Sequence, residues 1–168
     1  EPTAATVSVT VFAFTSDHID EWHGFRWLSV TIPQAATIDV ATLSVVIDGS
    51  TNDEPKHTFY GNNVDNAAIF TAGAGNADIS GRALTTASVA WDNADLGAIN
   101  ATTFFAVPSV AAIVQEIVNR VSWVSGNALA IVDRQTAPTD GLRDLGIVFF
   151  NANSASAAKL HIEYTAGG

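Results

Sequence analysis

The sequence contains no cysteine and no methionine among its 168 residues. Without cysteine the chain can form no disulfide scaffold, thiolate zinc site, iron–sulfur cluster or cysteine nucleophile. Without methionine its first residue is not the initiator, and we interpret Glu1 as the product of a signal peptidase or a maturation protease, or as a trimmed start. The lack of sulfur therefore excludes every site built on sulfur ligands.

Positive charge is also scarce, with 7 Lys and Arg against 17 Asp and Glu and a formal net charge of −10. An acidic surface repels phosphate backbones and anionic headgroups, so we expect no nucleic-acid partner and no membrane insertion. No apolar run approaches the roughly 18 residues that a membrane-crossing helix needs. A hydrophobic content of 48% in a chain of this length instead predicts one globular domain with a sizeable core.

Known catalytic motifs are missing as well. The chain has no Gly-x-Ser-x-Gly elbow, no Walker-type phosphate loop and no His-Glu-x-x-His. A group of acidic and imidazole side chains lies near the N-terminus, at Asp17, His18, Asp20, Glu21 and His23. Its spacing suits neither a helical nor a hairpin metal site, and it indicates a solvated acidic loop. We therefore predict no enzymatic activity, no metal site and no cofactor.

Strict alternation of apolar and polar residues dominates what the sequence does contain. It is clearest at Val7–Val11, Leu43–Ile47 and Leu160–Tyr164. Further strand segments, bounded by Gly, Asn, Asp or Pro, are predicted at 23–32, 57–60, 86–91, 128–133 and 145–150. About eight strands is the number typical of an all-β sandwich.

One segment has helical periodicity instead. Its apolar residues recur at intervals of three and four and form one stripe: Val110, Ile113, Val114, Ile117, Val118 and Val121. The pattern predicts an amphipathic helix over about 109–121, with Ser109 as N-cap. Such a helix should lie across an open edge or end of the sandwich.

Several runs together carry a family resemblance: Thr31–Ile38, Tyr60–Ala67, Thr85–Trp91, Ile113–Leu129 and Leu160–Tyr164. They resemble a jelly-roll module of bacteriophage virion proteins and secreted bacterial surface proteins, similar in layout to DNRLRE-type and carbohydrate-binding jelly rolls. The resemblance implies a jelly-roll β-sandwich of eight or more antiparallel strands and a non-catalytic role. We assign residues 25–168 to this domain, and residues 1–24 to an N-terminal strand or arm and an acidic loop of the same domain.

Two groups of residues, a tryptophan pair and two Asp–Asn dipeptides, each have a structural and a functional interpretation. Trp91 and Trp123 are predicted to close the core rather than to stack on a ligand. Asp65–Asn66 and Asp92–Asn93 are predicted to cap turns, which leaves calcium open as a weaker alternative.

The function that these observations favour is that of a multi-copy decoration or accessory subunit on a phage virion or another extracellular assembly. Its partners would be copies of itself and other virion or surface proteins. The N-terminal segment has apolar side chains on both faces, at Val7, Val9, Val11, Phe12 and Phe14. A strand of that kind is either central or covered by another subunit, and we predict an assembly arm.

Two alternatives stay open. The first is a carbohydrate-binding module of a secreted protein, in which Trp22 stacks on a sugar beside Asp20 and His23. Trp22 could equally fold back on the sandwich. The second is a filament-forming surface subunit that pairs strand edges. All three functions imply a location on a virion, outside the cell or at its surface.

Overall fold

The computed structural model describes residues 6–7, 20–48, 56–71, 77–92, 103–136, 146–147 and 154–167. Within these ranges the strands are β1 (Thr6–Val7), β2 (Asp20–Trp27), β3 (Thr37–Asp48), β4 (Lys56–Asn62), β5 (Leu84–Asp92), β6 (Phe104–Ala106), β7 (Leu129–Thr136), β8 (Gly146–Ile147) and β9 (Lys159–Thr165). The helices are α1 (Ala77–Ser80) and α2 (Ala111–Val118), with a 3₁₀ turn at Ser154–Ser156.

The strands form two antiparallel sheets, which confirms the predicted all-β class. The five-stranded sheet has the order β1-β2-β7-β4-β5. The second sheet is built around β3, which pairs with β6 on one side and with β8 and β9 on the other. We call it the β3 sheet.

Alternation places one face of each sheet in the core. On β2 the inward positions are His23, Phe25 and Trp27, and on β4 they include His57 and Phe59. The buried hydrophobic side chains of both sheets and of α2 belong to one cluster. Trp91 and Trp123 lie in that cluster, and the Trp123 indole donates to the carbonyl of Ile32 at 2.9 Å, so the prediction that both are core residues is confirmed.

Helix α2 is shorter than the predicted 109–121. Its stripe of Ile113, Val114, Ile117 and Val118 is buried as expected, but the helix ends there and Val121 is 91% exposed. The N-cap is Val110, without a side-chain cap bond, so the prediction of Ser109 as N-cap is wrong. The hydroxyl of Ser109 lies 3.4 Å from the amide of Ala111, which is too long for a strong cap.

Two adjacent residues of α2 tie the helix to both sheets. Gln115 accepts from the amide of Ile38 at 2.8 Å and donates to the carbonyl of Ala36 at 2.9 Å, at the start of β3. Glu116 accepts from the amides of Thr86 and Ala87 at 2.9 and 2.8 Å, on the outer strand β5. The helix therefore lies across the β5 edge, as its amphipathic pattern predicts.

Only two residues of the predicted N-terminal arm are described. Thr6 and Val7 pair with Trp27 and Arg26 as the outermost strand of the five-stranded sheet, and contact of the arm with a neighbouring chain stays a prediction. The remaining predicted arm residues, Val9, Val11, Phe12 and Phe14, lie outside the described residues.

Strand β2 also differs from its prediction at both ends. It begins at Asp20, so the acidic segment does not stay a loop up to residue 24. It ends at Trp27 rather than Ile32, because Ser29 adopts a φ of 53°, in the left-handed region that interrupts a strand.

Candidate functional site

A buried polar cluster occupies the inner face of the five-stranded sheet. Its members are His23 of β2, His57 of β4 and Asp133 of β7, three strands that lie side by side. His23 is the direct cross-strand neighbour of Asp133, whereas His57 is diagonal to it, since Asp133 pairs with Phe59. Antiparallel neighbours and diagonals are within reach of side chains, so the register alone brings the three groups together. We call them the His–Asp cluster.

One carboxylate oxygen accepts hydrogen bonds from both imidazoles. Asp133 Oδ2 lies 2.9 Å from His23 Nδ1 and 2.7 Å from His57 Nδ1. The side chain of Asp133 is 0% exposed and that of His23 only 5%. An ionised carboxylate only accepts, so each imidazole donates through Nδ1. The second oxygen, Asp133 Oδ1, is buried and has no hydrogen-bond partner among the described residues.

The charge of Asp133 is maintained by its neighbours. Burial by itself would raise the pKa of the Asp133 carboxyl, but the positive field of His57 and the hydrogen bonds from both imidazoles outweigh it and hold the pKa below its ordinary value of 3.8. The cluster thus keeps an anionic oxygen inside the core, where the low dielectric strengthens its attraction for any cation.

Aromatic rings pack against His57 of the cluster. The His57 ring lies 5.9 Å from that of Trp91 and 6.0 Å from that of Phe59, measured between centroids. Gln135, the cross-strand neighbour of His57, is buried on the same face. These two rings pack against the His57 imidazole and restrict its rotation.

A second candidate region lies where several strands end together. Trp27 pairs with Leu129, and Asn62 pairs with Leu84, so the segments next to these residues leave the sheet at the same end. We call this surface the loop end; it comprises residues 28–36, 63–71, 77–83 and 119–128.

The segments of the loop end are bonded to one another through their backbones. The amide of Val30 donates to the carbonyl of Asn127 at 3.0 Å, and that of Ala67 donates to the carbonyl of Ala128 at 2.9 Å. The amide of Ala35 donates to the carbonyl of Val118, the last residue of α2, at 3.1 Å. The loop end is therefore a cross-linked surface rather than a set of independent loops.

The charges of the loop end are matched within the chain. Its segments contain four charged residues, and these form two pairs of opposite charge. Asp65 and Arg120 meet at 2.7 Å, and Asp78 and Arg82 at 3.7 Å. The surface also exposes three large apolar side chains: Ile69 (70%), Val121 (91%) and Val124 (60%).

The same contacts occupy the oxygens on which a calcium site in the loop after β4 would depend. Asp65 Oδ1 accepts from Arg120 Nε, and Asn63 Oδ1 accepts from Arg120 Nη1. Asn66 Oδ1 accepts from the amide of Ala128 at 2.9 Å. Turn and loop stabilisation, the role predicted for Asp65–Asn66, accounts for these side chains.

The structure separates the residues of the predicted sugar site. Trp22 is half-buried and its ring lies 5.6 Å from the guanidinium of Arg134, its cross-strand neighbour. His23, the next residue, is buried on the inner face with Asp133. Since successive residues of a strand point to opposite faces, His23 cannot share a surface with Trp22. Asp20 is in the same strand as Trp22, two residues earlier.

Sequence reasoning missed His57 and Asp133 and placed His23 in a solvated loop, which is wrong because β2 begins before it. The available signal is a polar residue at an inward position of an alternating strand: Asp133 follows Leu129 and Ile131 at intervals of two, and His57 precedes Phe59.

Among the described residues, no helix is both long and apolar enough to cross a membrane. Comparison of the chain with protein-family models, with curated protein sequences and with solved structures found no significant match.

Proposed function

We propose that the protein is a non-catalytic structural subunit, present in many copies on a virion or another extracellular assembly, and that copies associate through the loop end. The observation that carries this proposal is the pairing of every charge in the loop end within the chain, on a protein whose net charge is −10. Copies of an acidic protein repel one another, so contact between them is favoured where the surface carries no net charge.

The chemistry of the loop end is suited to contact between copies. Ile69, Val121 and Val124 offer apolar area whose burial is favourable, at about 25 cal/mol per Å². The backbone bonds between its segments fix the surface before association, which reduces the entropy lost on binding.

The winding of the chain supports a jelly roll as the detailed fold. The connections from β2 to β3, β3 to β4, β5 to β6, β6 to β7 and β7 to β8 each pass from one sheet to the other. As a result β7 lies between β2 and β4, and β3 lies between β6 and the pair β8 and β9. Repeated crossing of this kind is what interleaved Greek keys produce.

The proposal is tested by adding charge to the loop end. Val121→Glu and Ile69→Glu each place an unpaired negative charge on the surface that copies would share. We expect the unmodified protein to associate with rising concentration in sedimentation-velocity experiments, and both variants to remain monomeric. The matched control is Val40→Glu, at an apolar residue of the β3 sheet that is 37% exposed. A protein that stays monomeric at all concentrations, or a control that abolishes association equally, would contradict the proposal.

The second candidate function is carbohydrate binding. Its support is a pair of side chains on the outer face of the five-stranded sheet: the ring of Trp22 and the guanidinium of Arg134, which is a hydrogen-bond donor. Sugars are bound by such combinations, because an apolar sugar face stacks on a ring while hydroxyl groups accept from a polar neighbour.

A further inference from the structure

The His–Asp cluster has the composition and spacing of a metal site. Its three candidate ligand atoms, two imidazole nitrogens and one carboxylate oxygen, lie within 4.8 Å of one another. We propose that His23, His57 and Asp133 bind one divalent transition-metal ion of the Zn²⁺ class, with a fourth position left for water or another donor. The proposal is independent of how copies of the protein associate.

The two nitrogen–oxygen contacts of the cluster must lengthen for a metal ion to bind. Ligands bonded at 2.0–2.2 Å in a tetrahedral arrangement are about 3.4 Å apart. The two nitrogen–oxygen separations are 2.9 and 2.7 Å, because a shared proton now occupies each contact. Replacing the two protons by a metal ion lengthens these contacts by about 0.5–0.7 Å. It also brings the two imidazole nitrogens, which lie within 4.8 Å of each other, to a similar separation, and side-chain rotation on three separate strands can supply both changes.

The unpartnered carboxylate oxygen is the second observation. Buried polar atoms in proteins are almost always hydrogen-bonded, and a cluster with a purely structural role would satisfy both oxygens of its carboxylate. Asp133 Oδ1 has no such partner among the described residues, although the side chain is completely buried. A cation at the cluster would offset the cost of burying the carboxylate charge and the cost of leaving Asp133 Oδ1 without a hydrogen bond.

The donor set identifies the class of metal. Two imidazoles and one carboxylate suit Zn²⁺, Fe²⁺ or Co²⁺, whereas Ca²⁺ and Mg²⁺ prefer oxygen ligands throughout. The rings of Trp91 and Phe59 beside His57 supply the apolar shell that keeps such ligands oriented.

The test uses the full chain without a histidine tag, freed of metal by dialysis against a chelator. Zn²⁺ is titrated by calorimetry, and Co²⁺ is added separately to record visible absorption. We expect one ion per chain, a higher melting temperature with Zn²⁺, and a Co²⁺ spectrum of low coordination number. His23→Gln and His57→Gln should each weaken Zn²⁺ binding by about tenfold or more.

The control is His161→Gln. His161 is another histidine beside a carboxylate, 3.0 Å from Glu163, but both side chains are mostly exposed. Circular dichroism verifies that each variant is folded, and the Co²⁺ spectrum of the unmodified chain needs no variant at all. Failure of the folded, unmodified chain to bind either ion would overturn the proposal. So would binding that persists in folded His23→Gln, or that is lost in His161→Gln.

Discussion

At the scale of the residue, Gly61 in β4 constrains how closely α2 can pack. A methyl group added there would lie 2.8 Å from side-chain carbons of Ile113, Ile117 and Thr85. Two of these side chains belong to α2, so the absence of a side chain at Gly61 lets the helix approach the sheet.

Gly61→Ala should therefore destabilise the protein by about 1–3 kcal/mol, the usual cost of overpacking a core. Denaturant unfolding measures the change in the free energy of unfolding. The control is Ser88→Ala, a one-atom change at an exposed position of the neighbouring strand β5. Equal stability of Gly61→Ala and the unmodified protein would mean that α2 packs less closely than described.

Trp22 is the residue that distinguishes the two candidate functions. If the protein is an assembly subunit, we expect a glycan array to give no signal. If it binds carbohydrate, Trp22→Ala should lose the signal, since stacking on a ring contributes about 0.5–1.5 kcal/mol beyond the buried area. Arg134→Lys is the matched variant, because it keeps the charge beside the ring and removes the planar guanidinium. A reproducible signal that depends on Trp22 would favour the carbohydrate-binding function.

At the scale of the element, α2 is the link between the two sheets. Its buried stripe fills the core, and Gln115 and Glu116 bond to the backbones of β3 and β5. A short helix of this kind is stable only through its packing, since eight residues are too few to be helical alone.

Ile117→Asp should unfold or aggregate the protein, because an unpaired buried charge costs several kcal/mol, comparable with the whole stability of a domain. The control is Ala112→Asp, which introduces the same charge at an exposed position of the same helix. Thermal melting compares the two. A melting temperature of Ile117→Asp within a degree or two of the unmodified protein would show that the stripe is not packed as described.

At the scale of the whole molecule, the sequence predicts local structure better than long-range contacts. The strands and α2 were predictable because alternation and helical periodicity are patterns of neighbouring residues and need no knowledge of distant contacts. The end of α2 at Val118 was not, since Val121 continues the apolar stripe and only the turn into the loop end exposes it.

The His–Asp cluster shows why the remainder could not be predicted. His23 and His57 are 110 and 76 residues away from Asp133 in the sequence, and they meet only because β7 lies between β2 and β4. No local pattern specifies that order of strands. The loop end could not be predicted for the same reason, because one of its ion pairs joins Asp65 to Arg120, which are 55 residues apart.

The contacts of Glu116 also bear on how the chain avoids aggregation. An outer strand offers unpaired backbone groups that can recruit a strand from another molecule. Glu116 accepts hydrogen bonds from two amides of β5, those of Thr86 and Ala87, so these amides are not available to a strand of another molecule. Growth into fibres by adding strands at that point would first have to detach a charged side chain from two donors. This makes the filament-forming alternative less favourable along β5 and leaves association through side-chain surfaces as the less costly route.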